Sequence, residues 1–185
     1  MPARTGEGHR APVLVVMGVA GSGKSTVGRL LAARLGLTFE EGDDLHPAAN
    51  VDKMHAGTPL TDEDRWPWLD RVASWVDARI RAGEGGVIAC SALKRPYRDR
   101  IAPHGGVVFI HLVVDPSKLA HRLVRRTGHY MPSSLLASQL EALEEPGPDE
   151  PALSVDATAP AEAVVEQIVA QLSTLRRRAV PPPAQ

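Results

Sequence analysis

Val13-Leu14-Val15-Val16-Met17 runs directly into Gly18-Val19-Ala20-Gly21-Ser22-Gly23-Lys24-Ser25-Thr26, and this junction decides the fold. An unbroken apolar run of this length reads as a strand buried on both faces, as in the middle of a parallel sheet. The residues that follow fit G-x-x-x-x-G-K-[ST], a loop whose glycines let the backbone curl and turn its N–H groups toward phosphates. An amphipathic helix then begins near Lys24, with Val27, Leu30, Leu31 and Leu35 on one side, so its positive end faces the same anion. Gly18, Ala20, Gly21, Ser22, Gly23, Lys24, Ser25 and Thr26 form the expected nucleotide cradle. Lys24 reaches the outer phosphates, and the Ser25 hydroxyl is a ligand for Mg²⁺.

Working outward, strand-like and helix-like segments alternate. The expected strands are Val13–Met17, Thr38–Glu41, Val87–Cys90, Val107–Val114 and Leu153–Val155. This alternation predicts a three-layer α/β fold with a five-stranded parallel sheet. Gly36 is a natural stop for the first helix. Thr61-Asp62-Glu63-Asp64 reads as a capping box opening a helix with Trp68, Leu69, Val72, Val76 and Ile80 on its buried stripe. Asp115-Pro116 opens another. Gly42–Thr61 and Thr127–Ser133 read as irregular, polar stretches at the carboxyl ends of the strands.

The chain of 185 residues suits one domain, expected over 12–178, between a frayed tail at 1–11 and a Pro-rich tail at 179–185. A net charge of -1 offers no general attraction for nucleic acid. No apolar run approaches the ~20 residues of a membrane span, and the start lacks the apolar stretch of a secretion signal. The single cysteine, Cys90, excludes an internal disulfide and suits a reducing cytoplasm. It ends a strand, so a buried structural thiol is expected rather than a nucleophile.

Polar candidates gather after the second strand: Glu41, Asp43, Asp44, His46 and Lys53. A phosphoryl transferase needs one carboxylate to orient an alcohol and accept its proton, and another to help hold Mg²⁺. Glu41 and Asp43 flank Gly42, so an extended backbone would point both to one side. Glu41 is the expected metal partner and Asp43 the base. His46 either binds substrate or caps a turn, and its spacing from His55 does not suit zinc. After the third strand, Lys94 and Arg98 concentrate positive charge, with Arg65 ahead of Trp66-Pro67-Trp68, as an anionic small substrate requires. Arg122 and Arg126 share a helix face before Thr127-Gly128-His129-Tyr130 and are expected to face ATP from a mobile lid at about 126–134.

Gly42-Asp43-Asp44-Leu45-His46-Pro47, Asn50, Lys53-Met54, Gly57, Pro59-Leu60, Asp64-Arg65 and Pro67-Trp68-Leu69 resemble the gluconokinase family, the short bacterial-type gluconate kinases. Cys90-Ser91-Ala92-Leu93-Lys94, Tyr97-Arg98-Asp99, Gly128-His129-Tyr130-Met131, Ser138-Gln139, Leu143-Glu144, Pro146 and Asp149-Glu150 continue the pattern. The similarity runs from about Val13 to Leu172. It implies a nucleoside-monophosphate-kinase-like fold, usually as a homodimer, that uses ATP and Mg²⁺ to phosphorylate D-gluconate on its 6-hydroxyl. On this reading Asp43, His46, Lys53, Arg65, Lys94 and Arg98 are expected to face the sugar acid, its carboxylate meeting Arg98 or Lys94, with Lys24, Asp43 and Arg126 at the transferring group. Where the family often has aspartate, this chain has Glu41, one methylene longer. Kinases for shikimate or adenylylsulfate, and a non-catalytic nucleotide-binding module, share the loop but not the blocks at 42–69 and 90–99. A GTPase is disfavoured because no Asn-Lys-x-Asp segment is present.

Overall fold

A computed structural model of the chain describes residues 11–125 and 133–179. Five parallel strands form one sheet in the order β2-β3-β1-β4-β5: β1 (Val13–Met17), β2 (Phe39–Glu41), β3 (Gly86–Ala89), β4 (Val107–Val113) and β5 (Ala152–Asp156). Each expected strand is present, β1 with the expected ends and the others within one residue of them.

The apolar run of β1 alternates between two cores. Leu14 and Val16 pack with Ile110 and Leu112 against α1 (Lys24–Leu35) and α7 (Ala161–Ala179), where Val27, Leu31, Val164 and Ile168 are buried. Val13, Val15 and Met17 face α3 (Asp62–Ala82) and α4 (Arg95–Ile101), against Trp68, Leu69, Val72, Val76 and Ile101. Burial on both sides explains why β1 has no polar position. Each such side chain contributes about 1.5–3 kcal/mol relative to exposure.

The helix ends follow local chemistry. Gly36 caps α1 in the left-handed region at φ 66°. Thr61 and Asp64 form the reciprocal capping box of α3, and Asp115 caps α5 (Pro116–Val124) by accepting from the Ser117 amide. The stretch expected to be irregular at 42–61 instead contains a 3-10 turn at Gly42–Leu45 and a helix, α2 (Ala48–His55). Pro47 precedes α2 as its N-cap residue, which leaves the helix to start at Ala48. A further helix, α6 (Ser133–Ala142), precedes β5.

The connection after β1 crosses to β2 on one side, while that after β3 crosses to β4 on the other. Adjacent strands whose chains leave in opposite directions open a crevice at their carboxyl ends. The Gly18 amide donates to Ser91 O at 3.2 Å and the Cys90 amide to Val16 O at 3.0 Å, tying the two departing loops together. This crevice positions the site.

Candidate active site

On one side of the crevice the chain turns from β1 into α1. Gly18, Gly21 and Gly23 have φ of 143°, 79° and 97°, conformations that side-chain-bearing residues rarely adopt. Gly23 is the N-cap of α1 and supplies no side-chain cap, and the first turn carries no acidic residue. The leading amides of the helix have no intrahelical acceptors, so this end presents donors to an anion. Lys24 Nζ donates to Val19 O at 3.0 Å, folding over the loop. Ser22 is buried, and its Oγ is the buried side-chain oxygen without a hydrogen-bond partner among the described residues. These groups fit a polyphosphate.

Two contacts hold the loop from outside. Arg122 Nη1 lies 3.4 Å from Gly21 O and 3.5 Å from Ser22 O, while Nη2 donates to Ala157 O at 2.7 Å. The Ala20 amide donates to Gln139 Oε1 on α6 at 2.7 Å. Gln139 stood in the sequence only as part of a matching dipeptide; a contact between residues 119 apart has no local signal. Arg126 lies outside the described residues, as does most of the segment expected as the lid at about 126–134, of which 126–132 are not described.

Opposite the loop, β2 ends at Glu41 and the backbone turns at once. A Cβ on Gly42 would lie 2.3 Å from Ala89 O, so only glycine lets the turn pass this close to β3. The buried Trp68 indole donates to Gly42 O at 2.7 Å and fixes the turn against α3. Because Gly42–Leu45 is a 3-10 turn, the extended geometry expected for Glu41-Gly42-Asp43 does not occur. The two carboxylates are carried by a strand end and a turn.

Their charges nevertheless converge. Burial pushes the Glu41 carboxyl up, while a hydrogen bond from the Ser25 hydroxyl opposes this; Asp43 raises it, Arg29 lowers it and Asp44 raises it. Arg29 Nη2 is 3.7 Å from Glu41 Oε2. The Cys90 thiol, at the end of β3, is pushed up to about 12, first by burial and then by Asp43, with Lys24 drawing it down and Glu41 raising it. Glu41, Asp43 and Lys24 therefore all act on Cys90 at the end of β3. Ser25 and Glu41 provide adjacent oxygen donors of the kind Mg²⁺ takes alongside phosphates. Among the described residues no three His, Cys, Asp or Glu side chains gather into a metal cage. A nucleotide-bound Mg²⁺ does not need one.

The cations expected to face an anionic substrate separate into two groups. Lys94 Nζ lies 3.1 Å from Asp62, which also accepts from the Tyr97 hydroxyl and has Arg65 at 3.7 Å. Arg65 donates to Leu60 O at 2.6 Å, and both cations lie over the Tyr97 ring. This half-exposed cluster rims the crevice. Lys53 is held by both Asp64 oxygens at 2.7 and 2.9 Å.

Arg98 requires a correction. Expected as a substrate clamp, it is 1% exposed and grips Glu150 through Nε at 2.6 Å and Nη2 at 3.0 Å. Nη1 donates to Ala92 O and Leu93 O at 3.0 and 3.2 Å. A guanidinium so deeply buried needs a fixed counter-charge and fixed acceptors, and Glu150 supplies the first. Arg98 braces the loop after β3 from behind. Arg95 and Glu144 add to that brace: the Arg95 amide donates to the Glu144 carboxylate and the Glu144 amide to Leu93 O, each at 2.8 Å.

His46 stands beside Asp43, its ring stacked on Trp68 with centroids 4.1 Å apart. Burial holds its pKa below the usual histidine value; Asp43 raises it and Arg65 lowers it.

Comparison with known proteins now decides the family. The chain is 49% identical over 163 residues to the gluconokinase of Gluconobacter oxydans (strain 621H), covering 88% of this chain and 92% of that protein. The chain belongs to the gluconokinase family. Residues 14–134 also match a family model described as an AAA domain, so it belongs to that family too. A gluconokinase from Sinorhizobium meliloti 1021 superposes with a TM-score of 0.82 at 44% identity, over 91% of this chain and 95% of that one. The shikimate kinase of Aquifex aeolicus vf5 reaches a TM-score of 0.58 at 15% identity, over 88% and 97% of the two chains, a likeness of fold alone. The expected α/β P-loop kinase fold is thus present. Among the described residues, no helix is long and apolar enough to cross a membrane.

Proposed function

We propose that this chain transfers the γ-phosphoryl group of ATP to the 6-hydroxyl of D-gluconate, giving 6-phospho-D-gluconate and ADP. The observation that carries the proposal is the phosphate loop itself, with its left-handed glycines and unpartnered Ser22 Oγ, and Glu41 held beside Ser25 at its edge. Membership of the gluconokinase family supports gluconate as the acceptor.

In this mechanism the α1 amides, Lys24 and Arg122 hold the triphosphate, with Arg126 joining them at the transferring group. The Mg²⁺ that accompanies ATP would supply positive charge to offset that of the phosphates. Ser25 and Glu41 would hold it. Asp43 orients the attacking hydroxyl and takes its proton, which converts a chance encounter into an aligned one. Lys24 opposes charge that grows on the phosphoryl oxygens as the bond to the leaving group lengthens. His46, Lys94 and Arg65 face the hydroxyls and carboxylate of the sugar acid. Lys53 and Arg98 act behind them, securing α2 and the loop after β3. A cytoplasmic homodimer completes the reading, checked by light scattering and cell fractionation.

An ATP-consumption screen with magnesium, over gluconate, shikimate, glycerate and adenylylsulfate, tests the substrate. Gluconate-dependent ADP release is expected; release dependent on shikimate alone would overturn the proposal.

A further inference from the structure

Asn50, on α2, is 4% exposed and uses one side-chain nitrogen twice. Its Nδ2 lies 2.8 Å from the main-chain oxygen of Asp64 and 3.2 Å from His46 Nδ1. A carbonyl oxygen only accepts, so the amide must present nitrogen to it; the flipped amide would press two acceptors together. With Nδ2 fixed, its second proton is left to His46 Nδ1, which must then accept. A neutral imidazole that accepts at Nδ1 carries its proton on Nε2. An imidazolium would set N–H against N–H at the same contact.

The rest of the ring is equally constrained. One face stacks on Trp68 at 15° between planes, and Trp68 is itself pinned to Gly42 O. The His46 amide donates to Asp43 O at 3.2 Å, which keeps the ring beside the proposed base. Among the described residues, Nε2 has no hydrogen-bond partner. Burial favours the neutral ring, with Asp43 acting against this and Arg65 with it.

We propose that Asn50 is a positioning residue that fixes His46 as the Nε2-protonated tautomer, so that His46 meets the sugar acid as a hydrogen-bond donor. An alcohol both donates and accepts; a carboxylate and an Nε2–H side by side are complementary to it. The opposite tautomer would set two acceptors next to each other. The role toward the sugar acid rests on the gluconate reading above, whereas the tautomer does not.

Long-range proton–nitrogen NMR of the full chain labelled at histidine, with the His46 signal assigned by its loss in His46→Gln, reads the tautomer without substrate. A neutral ring protonated on Nε2 is expected at neutral pH; protonation on Nδ1 would overturn the proposal. Asn50→Asp replaces the donor by an acceptor and should move the proton to Nδ1, raising KM for gluconate about tenfold while KM for ATP holds. Unchanged KM for gluconate in that variant would also overturn it. Should Asn50→Asp fail to fold, His46→Leu and His46→Gln decide between the roles. Leucine should raise KM about tenfold and glutamine, which keeps a neutral donor, should recover most of it. Equal KM in the two would contradict a donor role. If the wild-type chain consumes no ATP with gluconate, the substrate reading fails, and the spectrum still decides the tautomer.

Discussion

Between Gly18 and Ser25 the groups proposed to face a ligand are main-chain amides, a helix end, two serine hydroxyls and one lysine. Between Glu41 and Lys94 they are side chains, and most of their charges already oppose one another: Lys53 with Asp64, Lys94 and Arg65 with Asp62. The nucleotide half therefore depends on backbone shape, set by glycines within a few residues of each other. The acceptor half depends on pairings between α2, α3 and α4. A local motif specifies the first; only tertiary packing specifies the second. The difference teaches that a positive residue in sequence is not yet a positive site, because its counter-charge can come from anywhere in the chain.

The largest effect is expected on the nucleotide half. Lys24→Ala should lower turnover on the order of a thousandfold and weaken ATP binding by calorimetry, since in the proposed mechanism the ammonium opposes charge at the transferring group. Near-normal turnover would break the comparison at its simpler end. Arg98→Ala leaves Glu150 buried without its partner and should lose about 3 kcal/mol of stability in urea unfolding. Replacing Arg98 and Glu150 together by leucine should restore much of it. A stable Arg98→Ala with a large rise in KM for gluconate would return Arg98 to the substrate.

Within the rim, Lys94→Ala should raise KM for gluconate about tenfold, and Lys53→Ala by no more than about threefold, with KM for ATP held in both. Equal effects would merge the front and back cations. The smallest effect concerns pH. The Tyr97 hydrogen bond, then Lys94 and Arg65, holds the Asp62 carboxyl below the usual aspartate value. A folded-state pKa below the unfolded one means that Asp62 contributes stability above the unfolded value and loses it as pH falls through the folded one. Asp62→Asn should flatten the acid limb of urea midpoint against pH, by less than about 1 kcal/mol because the pair is half exposed. An unchanged acid limb would show that Asp62 is not the group that braces the rim.

The parts legible in sequence are those fixed by neighbours along the chain. The β1–α1 junction, the Thr61–Asp64 box, the Gly36 stop and the Asp115 cap each depend on residues within one turn. Helix α2 is too short and polar to show an apolar period, so the sequence of Ala48–His55 reads as loop. The turn at Gly42 replaced the expected extended segment because Ala89 O and the Trp68 indole decide its path, and both come from elsewhere. Arg98 looked like a clamp because Glu150 stands 52 residues away. Gln139 and Asn50 carry no charge and belong only to the family pattern, so their contacts appear only once α6 and α2 are in place.

The central claim is that Asp43 aligns and deprotonates the alcohol opposite the phosphate loop. Single-turnover transfer by Asp43→Asn at saturating ATP and gluconate measures this most directly. The rate should fall at least about a hundredfold while calorimetric affinity for ATP stays within about twofold of wild type. Transfer at the wild-type rate would contradict the claim.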